Sequence, residues 1–281
     1  MNDFFRAVTE YPFLRYALLA GLLASTACGM VGSFVVTRRI TAIAGSLAHA
    51  ALGGIGAAYY LRTVRGWAWL DPLHGAVVAA LLGALIIGAV RARGADREDT
   101  VISALWAVGM AIGVLFLFLT PGYKADLMSY LFGNIVLTSP DTLRLLLILD
   151  AVILAATTVF YHQLLAVCFD EEFAALRGVD VPLTYTFLLV LTALTIVTLI
   201  YVVGVVMVIA LLTLPVSVAG LFAKRLWQMM VLATLLSALL TTAGLWAGYG
   251  LDLPVGATTI LLASLVYVVA HVAVRLRRGA A

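Results

Sequence analysis

The sequence predicts an all-α membrane protein with several transmembrane helices. Of its 281 residues, 64% are hydrophobic and only 11% are charged, whereas soluble domains carry about 25% charged residues. The mean hydropathy is +1.13. Uncharged stretches that reach the roughly 20 apolar residues needed to cross a bilayer recur along the chain. Together they predict eight or nine transmembrane helices in a single domain, residues 1–281, within a lipid bilayer.

Seven stretches account for most of these helices: 16–37, 40–61, 72–90, 100–123, 145–168, 226–251 and 253–274. Residues 181–223 carry no charge and would form a helix of about 65 Å, twice the thickness of a bilayer core. This segment must therefore cross the membrane, turn and return. Gly204, as a turn or an unwound position, and Pro215, as a kink, are its predicted breaks.

Basic residues predict the orientation of these helices. If the N-terminus lies outside, 11 of the 17 Lys and Arg residues face the cytoplasm, as the positive-inside rule favours. We therefore expect an outside N-terminus and a cytoplasmic C-terminus. The net charge of +3 reflects this topology and gives no basic surface for nucleic acid.

Two connecting segments have helical patterns of their own. Residues 124–138 alternate apolar and polar side chains at helical spacing, which predicts a helix on the extracytoplasmic surface. Residues 169–181 begin with acidic side chains and stop at Gly178, a pattern typical of a short helix. The acidic side chains are Asp170, Glu171 and Glu172. This cytoplasmic helix is either a solvated linker or an element on which a soluble partner docks.

Two ionisable side chains fall inside predicted transmembrane helices. His49 lies near the middle of the second helix, where it either serves a function or bonds to a neighbouring helix. Asp150 lies about one and a half turns from the outer end of its helix. It reaches water, a neighbouring helix or a transport path. Three further histidines are predicted at the membrane interface: His74, His162 and His271.

Short motifs follow one another from about residue 20 to residue 275. They are SFVVTRRI at 33–40, SLAHAALGG with His49, EDT at 98–100, LMSYLFGN at 127–134, FDEEFA at 169–174 and DLPVGAT at 252–258. The segment from Gly204 to Pro215 lies between the last two motifs and belongs to the same series. Each is weak alone, but their order resembles that of the membrane permease subunits of ATP-binding-cassette (ABC) importers for zinc, manganese or iron.

This resemblance implies the ABC importer permease fold and import of a divalent metal by alternating access through a homodimer. The helix around Ala174 and Gly178, with its acidic start, would be the coupling helix that enters a cleft of a cytoplasmic ATPase subunit. Metal would arrive on an extracytoplasmic binding protein, and the complex would lie in a prokaryotic plasma membrane. The chain has no GxxxxGK[ST] motif, so we expect ATP on the separate ATPase, no enzyme activity and no stably bound cofactor here.

The resemblance also implies that His49 lies on the metal path. Members of this family commonly carry an aspartate four residues before this histidine, on the same helix face, but this chain has Gly45 there. A permease for iron-chelate or cobalamin-like ligands is the alternative within transport. An intramembrane hydrolase using Ser46 and His49 has poor geometry on one helix, and a structural scaffold would not explain the cytoplasmic helix.

Overall fold

The computed structural model describes residues 2–94, 98–121 and 140–279, and helices are the regular secondary structure of these ranges. Their bounds are α1 Asn2–Glu10, α2 Pro12–Thr37, α3 Thr41–Val64, α4 Pro72–Ala92, α5 Glu98–Leu119, α6 Pro140–Val159, α7 Tyr161–Phe169, α8 Glu171–Leu176, α9 Val181–Val203, α10 Val205–Phe222, α11 Leu226–Leu251 and α12 Val255–Gly279. The surface helix predicted at 124–138 lies outside the described residues.

Eight of the described helices are long and apolar enough to cross a membrane, and they make the chain a multi-pass membrane protein. They are α2 to α5 and α9 to α12. The predicted helix 145–168 is instead the pair α6 and α7, which bends by 68° at Phe160. Counting this bent pair as one crossing gives nine, so the predicted range of eight or nine is confirmed.

The long uncharged segment reverses direction at Gly204. This glycine has a φ of +80°, a conformation that side chains disfavour, and it separates α9 from α10. The first turns of α9 and the end of α10 lie at the same end of the bundle. Thr186 of α9 packs against Gly88 near the end of α4, while Met229 contacts both Gly220 of α10 and Thr37 of α2. The predicted cross, turn and return is therefore present.

Pro215 lies inside a continuous helix and does not interrupt the segment as Gly204 does. Helix α10 runs from Val205 to Phe222 through this proline, which is buried. Leu211, Leu212 and Val216 on either side of it are also buried. The kink predicted at Pro215 stays a prediction. Proline is tolerated inside membrane helices where neighbouring helices support the freed backbone groups.

Glycines allow α3 to approach its neighbours closely. Gly53 and Gly56 face Gly109 and Gly113 of α5, and Gly54 faces Gly75 of α4. In each pair an added Cβ would collide with the backbone of the opposite helix. Since lipid offers little hydrophobic drive for helix association, such close backbone packing is a main source of stability. Helix α3 is accordingly enclosed, whereas α5 and α12 leave most of their side chains outside the protein core.

Candidate transport and coupling sites

The imidazole of His49 lies in the interior of the bundle with one nitrogen available. Its residue is 9% exposed, and its ring stacks on Trp106 of α5, with the ring centres 4.8 Å apart and an interplanar angle of 28°. Nδ1 has no hydrogen-bond partner among the described residues. A buried polar nitrogen without a partner is costly and uncommon in a folded protein, so this atom is a candidate ligand atom.

Trp106 also occupies the space in front of Gly45, one turn before His49. A Cβ built on Gly45 would stand 2.7 Å from Cη2 of the Trp106 ring, closer than carbon atoms can approach. Glycine at this position therefore leaves room for the indole. Any larger residue at position 45, an aspartate included, requires the Trp106 ring to move. Sequence reasoning singled out Gly45 but not Trp106, because nothing local in the sequence links the two helices.

Asp150 lies in a different part of the bundle from His49. It is buried on α6, and the Thr26 hydroxyl of α2 donates a hydrogen bond of 2.5 Å to its Oδ2. His49, by contrast, faces α5. The structure thus does not bring the two predicted path residues together. Within the described ranges no group of three or more His, Cys, Asp or Glu side chains could hold a metal ion.

The other three histidines have local roles. His74 closes the capping box of α4, where its Nδ1 accepts a hydrogen bond of 3.2 Å from the backbone N–H of Asp71. His271 Nδ1 lies 3.1 Å from the carbonyl oxygen of Tyr267 in the preceding turn. His162 is exposed at the start of α7. None of these side chains lies beside His49.

The predicted cytoplasmic helix is present as α8, Glu171–Leu176. Asp170 caps its start, accepting a hydrogen bond of 2.9 Å from the backbone N–H of Phe173. Gly178 follows its end with a φ of +78°, as expected of a glycine after a helix C-terminus. Ala174 is fully buried and seats the helix on the bundle. The acidic start and the glycine end therefore have the structural roles that the sequence indicates.

Three apolar side chains point away from the protein, two of them in α8 and one at the end of α7. Phe169 is 67% exposed, Phe173 is 51% exposed and Leu176 is 87% exposed. A cavity of about 610 Å³ adjoins this ridge and is lined by Phe169, Phe173, Lys224 and Arg225 among others. A cluster of exposed large apolar side chains beside charged ones is typical of a surface that binds another protein.

Glu171 faces the opposite way, into the bundle. Its carboxylate forms ion pairs with Arg38, the C-cap of α2, and with Arg91 in the last turn of α4. Arg91 Nη1 also lies 3.1 Å from Oε2 of Glu98, the first residue of α5. One arginine thus joins the start of α8 to the end of α4 and the start of α5. We call Arg38, Arg91, Glu98, Glu171 and Tyr185 the Arg91 cluster.

Tyr185 supports this cluster from α9. Its side chain is almost completely buried, and its hydroxyl donates a hydrogen bond of 2.9 Å to Oε1 of Glu98. The Arg91 guanidinium lies 4.2 Å from the centre of the Tyr185 ring, a favourable cation–π distance. Every charged member of the cluster has its partner within it, which offsets the cost of removing these groups partly from water.

Sequence reasoning did not find the Arg91 cluster. Arg91 appeared only among the basic residues that mark orientation, Arg38 there and in the motif at 33–40, Glu98 only as part of a motif, and Tyr185 not at all. The available signal was that charges of both signs occur at helix ends predicted on the same side of the membrane. That pattern indicates pairing in general, but it cannot say which arginine meets which acid.

Comparisons with known proteins agree with this architecture. Residues 10–274 match the profile of the ABC 3 transport family. A protein of Chlamydia trachomatis named "probable metal transport system membrane protein" is 40% identical, over 89% of this chain and 85% of its own. The manganese transport system membrane protein MntC of Halalkalibacterium halodurans is 30% identical, over 96% of this chain and 90% of its own.

A solved structure has the same fold. It is that of PsaBC from Streptococcus pneumoniae in complex with Fab, with a TM-score of 0.84, 28% identity and coverage of 96% of this chain and 94% of that one. Because the family profile and these relatives cover nearly the whole chain, the protein belongs to the ABC 3 transport family.

Proposed function

We propose that this chain is the permease subunit of an ATP-driven importer of divalent metal ions, with zinc, manganese and iron as its substrate class. The observation that carries this proposal is the buried, unpartnered Nδ1 of His49 within a chain of the ABC 3 transport family. Relatives named as metal or manganese transport proteins support the substrate class.

His49 is the metal ligand of the path in this proposal. Imidazole nitrogen binds zinc, iron and related ions, and transient binding suits a transporter because the ion must also leave. Asp150 is assigned a structural role instead, because it lies away from His49 and its Oδ2 accepts a hydrogen bond from Thr26 between α2 and α6. Its Oδ1 is also buried without a hydrogen-bond partner among the described residues, so a variant that keeps an oxygen atom but not the charge is needed to separate the two roles.

A homodimer would complete the path. One imidazole is too few ligands to select a metal ion, and a two-fold axis would add a second His49 from the other copy. Helix α5 supports this arrangement because it carries Trp106 against His49 and leaves most of its other side chains uncovered. The exposed faces of α5 and α12 are the surfaces that a second copy and the lipid would share.

Helix α8 would receive the movement of the ATPase subunit. Its exposed ridge of Phe169, Phe173 and Leu176 is the docking surface, and the Arg91 cluster is its connection to the bundle. Glu98 opens α5, and Trp106 follows eight residues later, about 12 Å along the same helix. A displacement of α8 would therefore reach the indole that packs on His49, through Glu171, Arg91 and α5.

The remaining parts of the proposal follow from this arrangement. The end of the bundle that holds the Arg91 cluster would face the cytoplasm, the membrane would be the plasma membrane of a prokaryote, and an extracytoplasmic protein would deliver the metal. ATP would bind to the ATPase partner, because this chain has no phosphate-binding glycine loop.

Metal accumulation in a host that lacks its own importers tests the proposed function. The chain, its ATPase and its binding protein are expressed together, and zinc, manganese and iron are measured in washed cells. We expect uptake of at least one metal that is lost when the permease is omitted or when the ATPase cannot hydrolyse ATP. Co-purification of the ATPase with the permease is expected as well. Metal levels that are independent of the permease would contradict the proposal.

A further inference from the structure

An aromatic wall lies beside His49. Trp106 covers one face of the imidazole and lies against Gly45, the position one helical turn before His49. Side chains at these two positions share a helix face. The indole therefore fills the place from which a carboxylate beside His49 would have to project.

The polar side chain nearest to His49 along α3 is that of Ser46. Its hydroxyl is fully buried and donates to the carbonyl oxygen of Ile43 at 3.0 Å in its own helix. On the next turns, Gly53 and Gly56 contact the backbone of α5 directly, at Gly109 and Gly113. Among the buried side-chain nitrogen and oxygen atoms of the described residues in α3 and α5, Nδ1 of His49 is the one without a hydrogen-bond partner.

Metal ions differ in how they respond to such a site. Carboxylate and other oxygen ligands suit manganese, whereas imidazole suits zinc, copper, nickel and iron. We infer that this path selects imidazole-preferring divalent ions, with zinc as the tested example, over manganese. Trp106 would set this preference by occupying the place of an oxygen ligand beside His49. This inference rests on the proposed function, and it narrows the substrate class.

A direct test compares zinc and manganese uptake by the complete transporter. Cells without their own importers for these two metals receive equal concentrations of both, and accumulated metal is normalised to the permease present in the membrane. The wild-type chain is expected to favour zinc by about tenfold. The double variant G45D/W106A adds a carboxylate and the space for it, and it should raise the manganese-to-zinc ratio by about tenfold.

Two controls separate the oxygen ligand from the space. G45L/W106A has a side chain of similar shape to that of the aspartate variant but no oxygen atom, and W106F keeps an aromatic wall; both should keep the zinc preference. A wild-type transporter that takes up manganese in preference to zinc, or a ratio that G45D/W106A leaves unchanged at normal protein levels, would overturn the inference. Either result leaves the proposed function standing as long as uptake still depends on His49.

Discussion

Arg91 and Glu171 meet across 80 positions of sequence, with Nη2 of the arginine 2.8 Å from Oε1 of the glutamate. This contact joins the short helix α8 to the end of α4, and the second Nη of Arg91 continues it to Glu98 at the start of α5. Two transmembrane helices therefore depend on one guanidinium for their connection to α8. Arginine is suited to bridging two carboxylates because its planar guanidinium presents several N–H donors in a fixed geometry.

The first prediction concerns Glu171 of α8. Glu171→Gln removes the charge that pairs with Arg38 and Arg91, whereas Asp99→Asn removes a charge from an exposed side chain beside Glu98. We expect E171Q to reduce metal uptake severalfold while ATP hydrolysis by the complex continues, because movement of α8 would no longer reach the bundle. D99N is the matched control and should behave as wild type. Equal uptake in the two variants would contradict the coupling role.

The second prediction concerns Arg91 itself. Arg91→Lys keeps the charge but loses the fork that reaches Glu98 and Glu171 together. Since these groups are about one third exposed and water screens them, we expect the free energy of unfolding to fall by only about 1 kcal/mol, less than is usual for hydrogen bonds to charged groups. Thermal unfolding of the purified protein in detergent measures it. Arg93→Lys, two residues away and exposed, should leave the transition unchanged; a similar shift in both variants would refute the assignment.

The third prediction concerns the glycine contacts of α3. A Cβ added to Gly54 would stand 2.6 Å from the Cβ of Ala79 and would meet the backbone of Gly75. Gly54→Ala should therefore destabilise the protein by about 1–3 kcal/mol, the usual cost of overpacking. Gly250→Ala on α11 meets nothing within 4 Å and should be neutral or slightly stabilising. Size-exclusion profiles and melting temperatures of the two variants measure the difference, and equal stability would contradict the close helix contact.

The fourth prediction separates Asp150 from the metal path. Asp150→Asn keeps an oxygen that can accept the hydrogen bond from Thr26, so both stability and metal uptake should stay near the wild-type level. Asp150→Ala removes the acceptor between α2 and α6, and it should lower stability by about 1 kcal/mol. Uptake assays with matched protein levels check the first expectation. Loss of transport in D150N would place the carboxylate on the path after all.

Sequence reasoning found the fold well because its signals are local. Uncharged runs mark the membrane helices, and a 43-residue run can only cross twice, which made Gly204 the turn. The same logic located α8 between its acidic start and Gly178. It could not show whether Pro215 interrupts its helix, because that depends on neighbouring helices that the local sequence does not reveal. The sequence around Phe160 contains no glycine or proline that would predict the bend there.

The candidate sites were found only in part, for the same physical reason. His49 was visible as an ionisable residue in an apolar run, and Gly45 stood out by comparison with the family. Trp106, however, lies 57 positions from His49, and only the packing of α5 on α3 brings their rings together. The partners of Arg91 are likewise set by the packing of four helices. These sites are formed by contacts between segments that are distant in the sequence, so no pattern within a single segment predicts them.

The central claim is that His49 is the metal ligand of a transport path, and its replacement tests that claim most directly. His49→Ala and, as a matched control, His271→Ala on α12 are compared for metal uptake by the complete transporter at equal membrane levels of the permease. We predict that H49A loses at least about nine tenths of ATP-dependent uptake, as expected when the binding ligand is removed. We predict that H271A retains wild-type uptake, because the His271 imidazole contacts the carbonyl oxygen of Tyr267 in its own helix. Wild-type uptake in H49A would contradict the account.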